Sequence, residues 1–418
     1  MNTRRKNRAV LGAIALASAA AIALSGCSRN DAPGSQRTAG ASPGITDTSI
    51  TLGITTPLSG TTAGQGTCSV AGIKAYFGAK NEQGGVEFGD GKTRTVKLET
   101  LDDAYDPQKA KGNYDQLKGS VFAMAAGIGT PTNRAYRDAA IADEVPQVLV
   151  MTGDPIFSDR AQSPWQLGFV PTYVNEGEAF GALLAKSSGQ HKVAVLYQND
   201  DYGKGYLEGF QRGIEGADNV TIVKENTYEA ADTSVDAQVT ELASTGADVL
   251  LAAVPINPLM ISAMQKAQSL GWKPSWLLPS NTSSPSVILD PGRASAYPGV
   301  YSVAFAKDVT SPAYANDDDV KTFLSDLKTY ADYPDTPPFP HCAWSYMMGA
   351  TLDQAFQKMK APTREAFMEA LRSVSGFHAP LMLPGTAVDT TQDGQPAVSA
   401  VVVQKFNGSG YDTVDSWE

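Results

Sequence analysis

Gly127-Ile128-Gly129-Thr130-Pro131-Thr132 follows an apolar run that begins at Val121 and leads into a helical pattern over Asn133–Asp143. A strand that enters a helix through so tight a turn leaves the first helical N–H groups unpaired. The aligned peptide dipoles put partial positive charge there, so a carboxylate or phosphate can be held without a lysine. Thr130, Thr132 and Asn133 add side-chain donors and caps. The spacing also matches half of a dinucleotide loop, but Thr132 stands where the third glycine is needed and no acidic residue is clearly placed about 20 positions on. An ordinary capped connection and a ligand-holding turn both fit these residues.

Catalytic constellations are thin. The histidines are His191, His341 and His378, none in a spacing such as His-Glu-x-x-His, and no Gly-x-Ser-x-Gly elbow occurs. His341 precedes Cys342, but adjacent residues need not face each other, and His341 is expected on the surface. Asp102-Asp103 and Asp200-Asp201 are paired carboxylates. Asp106 before Pro107 reads as a helix cap, and Asp317-Asp318-Asp319 as a solvated helix start with no calcium-loop pattern around it. No metal, no cofactor and no enzymatic reaction is expected.

The chain has 418 residues, 42% hydrophobic and 18% charged, enough for large cores and for two domains. Residues 1–27 read as a targeting segment: Arg4-Arg5-Lys6, an apolar stretch Val10–Leu24 too short to span a bilayer, then Leu24-Ser25-Gly26-Cys27. That ending resembles the lipobox of bacterial lipoproteins, which implies cleavage before Cys27 and acylation of its thiol, hence a lipid-anchored protein outside the cytoplasmic membrane. Loss of the four cations Arg4, Arg5, Lys6 and Arg8 takes the formal charge from −11 to −15, a surface that repels nucleic acid phosphates. Residues 28–44 are rich in Ser, Gly, Ala, Pro and Thr and read as a flexible tether. Cys68 and Cys342 remain, and their spacing does not say whether they pair.

From Ile45 onward, strand-length apolar runs alternate with helical patterns. The first series is Ser49–Pro57, Val70–Asn81, Thr93–Leu101, Pro107–Lys118, Val121–Ile128, Asn133–Asp143 and Gln147–Met151. A pause at Ser163–Val174 contains Pro164 and Pro171. A second series follows through Asn175–Lys186, His191–Tyr197, Gly205–Gly213, Thr221–Tyr228, Val235–Ser244, Asp248–Val254, Pro258–Leu270 and Ser275–Leu278. Such order argues α/β architecture, two doubly wound parallel-sheet units in tandem. Helical stretches then return at Asp317–Tyr330, Ala343–Lys360 and Thr363–Ser373, and a strand-like tail carries Asp393-Gly394 as a hairpin signal. Ligands of open α/β sheets sit beyond the carboxyl ends of strands. The stretches expected at a cleft are Thr56–Thr67, Gly127–Asn133, Thr152–Pro155, Gln198–Tyr202, Pro255–Asn257 and Pro279–Thr282.

Pro57-Leu58-Ser59-Gly60, Asp102-Asp103-Ala104-Tyr105-Asp106-Pro107 and Asp201-Tyr202-Gly203-Lys204-Gly205 occur in order on this βα rhythm. With them the chain from about Ile50 to Gly410 resembles the type I periplasmic binding proteins of the leucine/isoleucine/valine-binding kind, which feed ABC importers. The resemblance implies a type I periplasmic-binding fold: residues 45–168 and 306–380 as lobe 1, residues 169–305 and 381–418 as lobe 2, and three hinge crossings. It also implies a monomer that closes on a small solute and delivers it to ABC permease subunits. A lipid-anchored sensor of the same fold is the alternative, told apart by whether permease or kinase genes lie beside it; a hydrolase is a further one.

Carried over by position, the first-lobe grip on a ligand carboxylate falls on Gly129 and Thr130 and on Met151, Thr152 and Gly153. The second-lobe Tyr202 matches an aromatic that covers the ligand. The chain departs from the pattern where an acid should meet the ligand's ammonium group, since Ser280, followed by Asn281, stands there. It departs again at two aromatic positions, which fall on Ile256, next to Asn257, and on Gln65. An unpaired buried ammonium would cost several kcal/mol. The ligand is therefore expected to lack a free α-ammonium or to meet another acid, Asp154 and Asp201 being the nearest. The resemblance puts Cys68 and Cys342 close to each other in lobe 1 and leaves both a bridge and two free thiols open, while the family's more usual pair is replaced by Tyr105 and Ile128.

Overall fold

A computed structural model describes residues 40–334 and 336–417. The targeting segment with Cys27, and the tether as far as residue 39, lie outside the described residues.

The first series folds as β1 (Ser49–Thr56), α1 (Ala63–Glu82), β2 (Val86–Glu87), β3 (Thr93–Asp102), α2 (Pro107–Leu117), β4 (Ala123–Ala125), α3 (Thr130–Ala142), β5 (Gln147–Val150) and β6 (Gln166–Gly168). These strands form one sheet in the order β2-β3-β1-β4-β5-β6, parallel except for β2. In β1, Ile50, Leu52 and Ile54 alternate with less apolar neighbours and are fully buried, as the two-residue period of a strand requires. β6 lies inside the proline-flanked stretch read as a pause; three residues are too few for a periodic signal. α2 begins as its sequence foretold, with the Asp106 carboxylate accepting from the N–H of Gln108 and Lys109.

The second series gives α4 (Tyr173–Ala185), β7 (His191–Gln198), α5 (Asp201–Gly213), β8 (Val220–Tyr228), α6 (Asp236–Ala243), β9 (Val249–Ala253), α7 (Asn257–Ser269), β10 (Ser275–Leu278), the single turn α8 (Asp290–Gly292) and β11 (Val300–Ala304). β9, Val-Leu-Leu-Ala-Ala, is buried at every position, the signature of an interior parallel strand covered on both faces. The chain then adds α9 (Asp318–Tyr330), α10 (Pro340–Lys358) and α11 (Arg364–Leu371) to the core of the first sheet, and returns as β12 (Val402–Phe406) and β13 (Tyr411–Thr413). The second sheet runs β13-β12-β11-β10-β9-β7-β8, with the last two strands of the chain antiparallel. The fold is thus two α/β lobes between which the chain passes three times.

Three local expectations change. Ser42 N donates to the Pro362 carbonyl at 3.0 Å, and a Cβ on Gly44 would fall 2.0 Å from Phe122 N. Residues 42–44 are therefore packed against lobe 1 and do not belong to a free tether. The terminal hairpin turns at Asn407–Gly410, where Asn407 Oδ1 accepts from the N–H of Ser409 and Gly410. Asp393-Gly394 instead docks on lobe 1, through Gly394 N to the Ser158 carbonyl and Arg160 N to the Asp393 carboxylate. Finally Leu381, Met382, Val388, Ala397 and Val398 are buried in the same core as β1 and α10.

Cys68 on α1 and Cys342 on α10 stand as a disulfide, Sγ–Sγ 2.01 Å. The two helices approach closely there: a Cβ on Gly72 would lie 2.0 Å from the Cys342 carbonyl oxygen.

Candidate functional site

In the first sheet the order of connection reverses at β1, which pairs with β3 on one side and β4 on the other. In the second it reverses at β7, between β8 and β9. A crevice opens beyond the carboxyl end of a sheet at such a reversal. The loops after these strands face each other across one cleft, which holds about 520 Å³ of space free of protein atoms, its mouth included.

The turn before α3 forms one wall. Gly129 has φ +98°, and a Cβ there would come 2.5 Å from the Tyr105 ring, so the position requires glycine. Met151 N donates to the Gly127 carbonyl at 2.8 Å and ties the turn to the end of β5. Of the three side chains expected to offer donors, only Thr130 faces the cleft. Thr132 Oγ1 donates to the Ile128 carbonyl and Asn133 Nδ2 to the Gly127 and Gly129 carbonyls, so these two fix the turn from behind and do not cap the helix. Thr130 Oγ1 lies 2.8 Å from Thr152 Oγ1 and 3.2 Å from the Tyr173 hydroxyl. Thr152 is thus one layer back, and Gly153 is closer still to the crossing, since a Cβ on it would strike the Pro171 carbonyl at 2.5 Å.

Across the cleft, the Tyr202 ring is buried edge-on against Tyr173 and its hydroxyl donates to Asn281 Oδ1 at 3.3 Å. Ser280 lines the cleft and does not leave that wall without an acid. Ser280 Oγ donates to Glu176 Oε1 at 2.7 Å and Ser280 N to Glu176 Oε2 at 3.2 Å, while the Tyr206 hydroxyl donates to Oε2 as well. Glu176, from the first turn of α4, is buried and lines the same cavity. Burial lifts its carboxyl to about 7, against the pull of these three donors. Asp154 and Asp201 do not fill the role expected of them. Arg134 engages both, with Nη2 3.1 Å from Asp154 Oδ1 and Nη1 3.1 Å from Asp201 Oδ2.

The two remaining positions differ in kind. Ile256 is turned away into the core of lobe 2. Asn257 is buried, and Gln65 Nε2 reaches across from α1 to the Pro255 carbonyl at 2.8 Å and to Asn257 Oδ1 at 3.4 Å. Together with Arg134–Asp201, these contacts join the lobes across the cleft, so the arrangement is closed.

His341 is not on the surface. It is buried at the cleft, its ring 4.9 Å from Trp344, and its Nδ1 has no partner; burial alone takes its pKa down to about 3. Thr62 Oγ1, on the same cavity, is also buried without a partner. Glu176, Trp344 and Tyr206 carry no functional reading in the sequence, and His341 is read there only as a discarded partner of Cys342. Two signals were present: Tyr202 and Tyr206, and His341 and Trp344, are spaced to share a helix face. Among the described residues no group of three His, Cys, Asp or Glu could hold a metal ion.

A cleft with donors at a helix start on one side and a carboxylate on the other can hold a small polar molecule, and known proteins share the frame. A family model described as periplasmic binding protein matches residues 49–410. A Leu/Ile/Val-binding protein homologue from Brucella melitensis is 26% identical over 209 residues, 48% of this chain and 53% of that protein, so the match spans about half of the relative's length. Among solved structures, a fatty acid ABC transporter substrate-binding protein from Thermomonospora curvata superposes with TM-score 0.74 at 24% identity, covering 90% of this chain and 94% of the other. A branched-chain amino acid ABC transporter protein from Thermus thermophilus with bound valine gives 0.75 at 13% identity over 88% and 96%. These two likenesses speak for the fold. The family match, which takes in both lobes and all three crossings, carries the identification: the chain belongs to the periplasmic binding protein family.

Proposed function

We propose that this protein captures a small amino-acid-related solute outside the cell by closure of its lobes and hands it to the permease subunits of an ABC importer, with no covalent chemistry. One observation carries the ligand class: Glu176, tethered by Ser280, supplies a buried carboxylate on the wall opposite the start of α3. A zwitterion spans such a pair, its carboxylate at Thr130 and the first N–H groups of α3, its ammonium at Glu176. An uncharged amide N–H can occupy the Glu176 position as well. The names of the relatives agree with solute capture, and the paired polar walls favour an amino-acid head over a plain acid.

The anchor belongs to the same reading: Cys27 carries the lipid, and no helix among the described residues is long and apolar enough to cross a membrane. Lobe 1 comprises residues 45–168 and 306–398. Because Leu381–Val398 shares its core, we place the third crossing between Val398 and β12, with lobe 2 formed by residues 169–305 and the final hairpin.

Calorimetric titration of amino acids beside the matching 2-hydroxy and unsubstituted acids tests the assignment. The expected result is micromolar or tighter binding of at least one α-amino acid, weakened tenfold or more by Glu176→Gln, while the matched 2-hydroxy acid is little affected. A solute set that leaves the melting temperature unmoved, together with turnover of a hydrolysable substrate, would replace this reading with an enzyme.

A further inference from the structure

A second space adjoins the cleft on its hinge side. Val303, Phe305, Val309, Tyr314, Pro338 and Leu383 give it apolar walls drawn from both lobes and the crossing between them, around some 690 Å³ of atom-free space, mouth included. Ser280 and Trp344 line both spaces, so the two meet at one hydroxyl and one indole. Trp344 is buried and packs against Phe305 with ring centroids 5.1 Å apart.

Several of the polar groups around the second space are already partnered. Lys307 Nζ is held by Asp317 at 2.8 Å and Asp319 at 2.9 Å, and the Tyr411 hydroxyl donates to the Ser283 carbonyl at 2.7 Å. Asp308 Oδ1 accepts from Thr310 N and Oγ1, whereas Asp308 Oδ2 is buried without a partner. An anionic group entering here would face that oxygen with the lining lysine, Lys307, already neutralised. A charged head therefore belongs in the first space, and apolar surface in the second.

We propose that the solute is elongated and amphipathic: its head lies between Thr130 and Glu176, and an apolar body passes Trp344 into the hinge-side chamber. This rests on the solute-binding reading and narrows it to amino acids or amides with a long apolar group. Because the chamber's walls come from both lobes, the apolar body contributes only when the lobes close. Each methylene added within it should tighten binding about fourfold at most, the value for full burial.

The test is calorimetry on the whole protein with straight-chain 2-aminoalkanoic acids from 2-aminobutyrate to 2-aminodecanoate, and with unsubstituted alkanoates of equal length. The dissociation constant is expected to fall two- to fourfold per methylene over at least four methylenes. Ala304, which lines the chamber, gives the companion variant: in Ala304→Phe the series should flatten. If that variant fails to fold, the wild-type length series still decides. Short members that bind as tightly as long ones overturn the second chamber and leave solute capture standing. Absence of binding by every member of both series overturns both.

Discussion

Glu176 is the side chain on which ligand discrimination turns. Its folded-state pKa, about 7, lies above the ordinary 4.5, so the folded protein holds this proton more tightly than the unfolded chain does. Its contribution to stability is therefore full below about pH 4.5 and is lost as pH rises through about 7. An ammonium beside it favours the ionised form, so binding an amine releases a proton near neutrality. The affinity for an α-amino acid should then tighten between pH 6 and pH 8, and Glu176→Gln should flatten that profile while weakening binding by about 2 kcal/mol, the scale of a hydrogen bond to a charged group. A wild-type profile that stays level over this range would count against the role. His341, lowered to about 3, stays neutral throughout and adds nothing to the slope. Asp103, raised to about 6 by burial beneath Thr55, titrates nearby, and Asp103→Asn separates the two contributions.

Two element junctions hold the walls in place. The first is the start of α3, whose glycine is fixed by its backbone and its contact with Tyr105. Gly129→Ala should destabilise the protein by roughly 1–3 kcal/mol, from a strained positive φ and a Cβ forced against the ring, and should weaken solute binding more than Thr132→Val does. Denaturant unfolding and titration of the two variants check this. The second is the contact of α1 with α10, which carries Gln65 on one helix and His341 and Trp344 on the other. The disulfide joins these helices across 274 residues of sequence. Thiol counting on denatured, unreduced protein should find neither Cys68 nor Cys342 free, and Cys68→Ala with Cys342→Ala should cost about 2–4 kcal/mol. At this scale the sequence was largely readable, because Val249–Ala253 or Pro107–Leu117 carry their own pattern and caps. β6 and the Asn407–Gly410 turn were not, since three residues between prolines and a turn without its usual dipeptide leave no local mark.

For the molecule as a whole, the contacts that hold closure among the described residues include Gln65 to Pro255 and Asn257, Arg134 to Asp201, Tyr105 to Gln198, and Tyr173 to Thr130 and Thr152. The Arg134–Asp201 pair is about half exposed, so its loss is worth at most about 1 kcal/mol. Asp201→Asn should shift the protein toward the open form and weaken binding up to about fivefold at low salt, with little difference from wild type at 1 M salt. Small-angle scattering should show a larger radius for the unliganded variant and the same radius for both proteins when the solute is bound. Equal radii without solute would mean that the pair does not help to hold the lobes together.

The alternation of strand and helix patterns, the post-strand loops and the turn before α3 were fixed locally, by periodicity and by residues whose backbone preferences act within a few positions. They determined the two-lobe α/β architecture and one wall of the cleft. The opposite wall was decided only in three dimensions. Ser280 offers no charge by itself, and Glu176 lies 104 residues earlier on another helix; only packing of α4 against α5 and the end of β10 brings the carboxylate to the serine. His341 and Trp344 likewise reach the cleft because α10 returns to the first lobe after β11, before the final hairpin completes the second. Chemistry shared between distant segments leaves no spacing to read, because the distance that matters is set by the tertiary core and not by the chain.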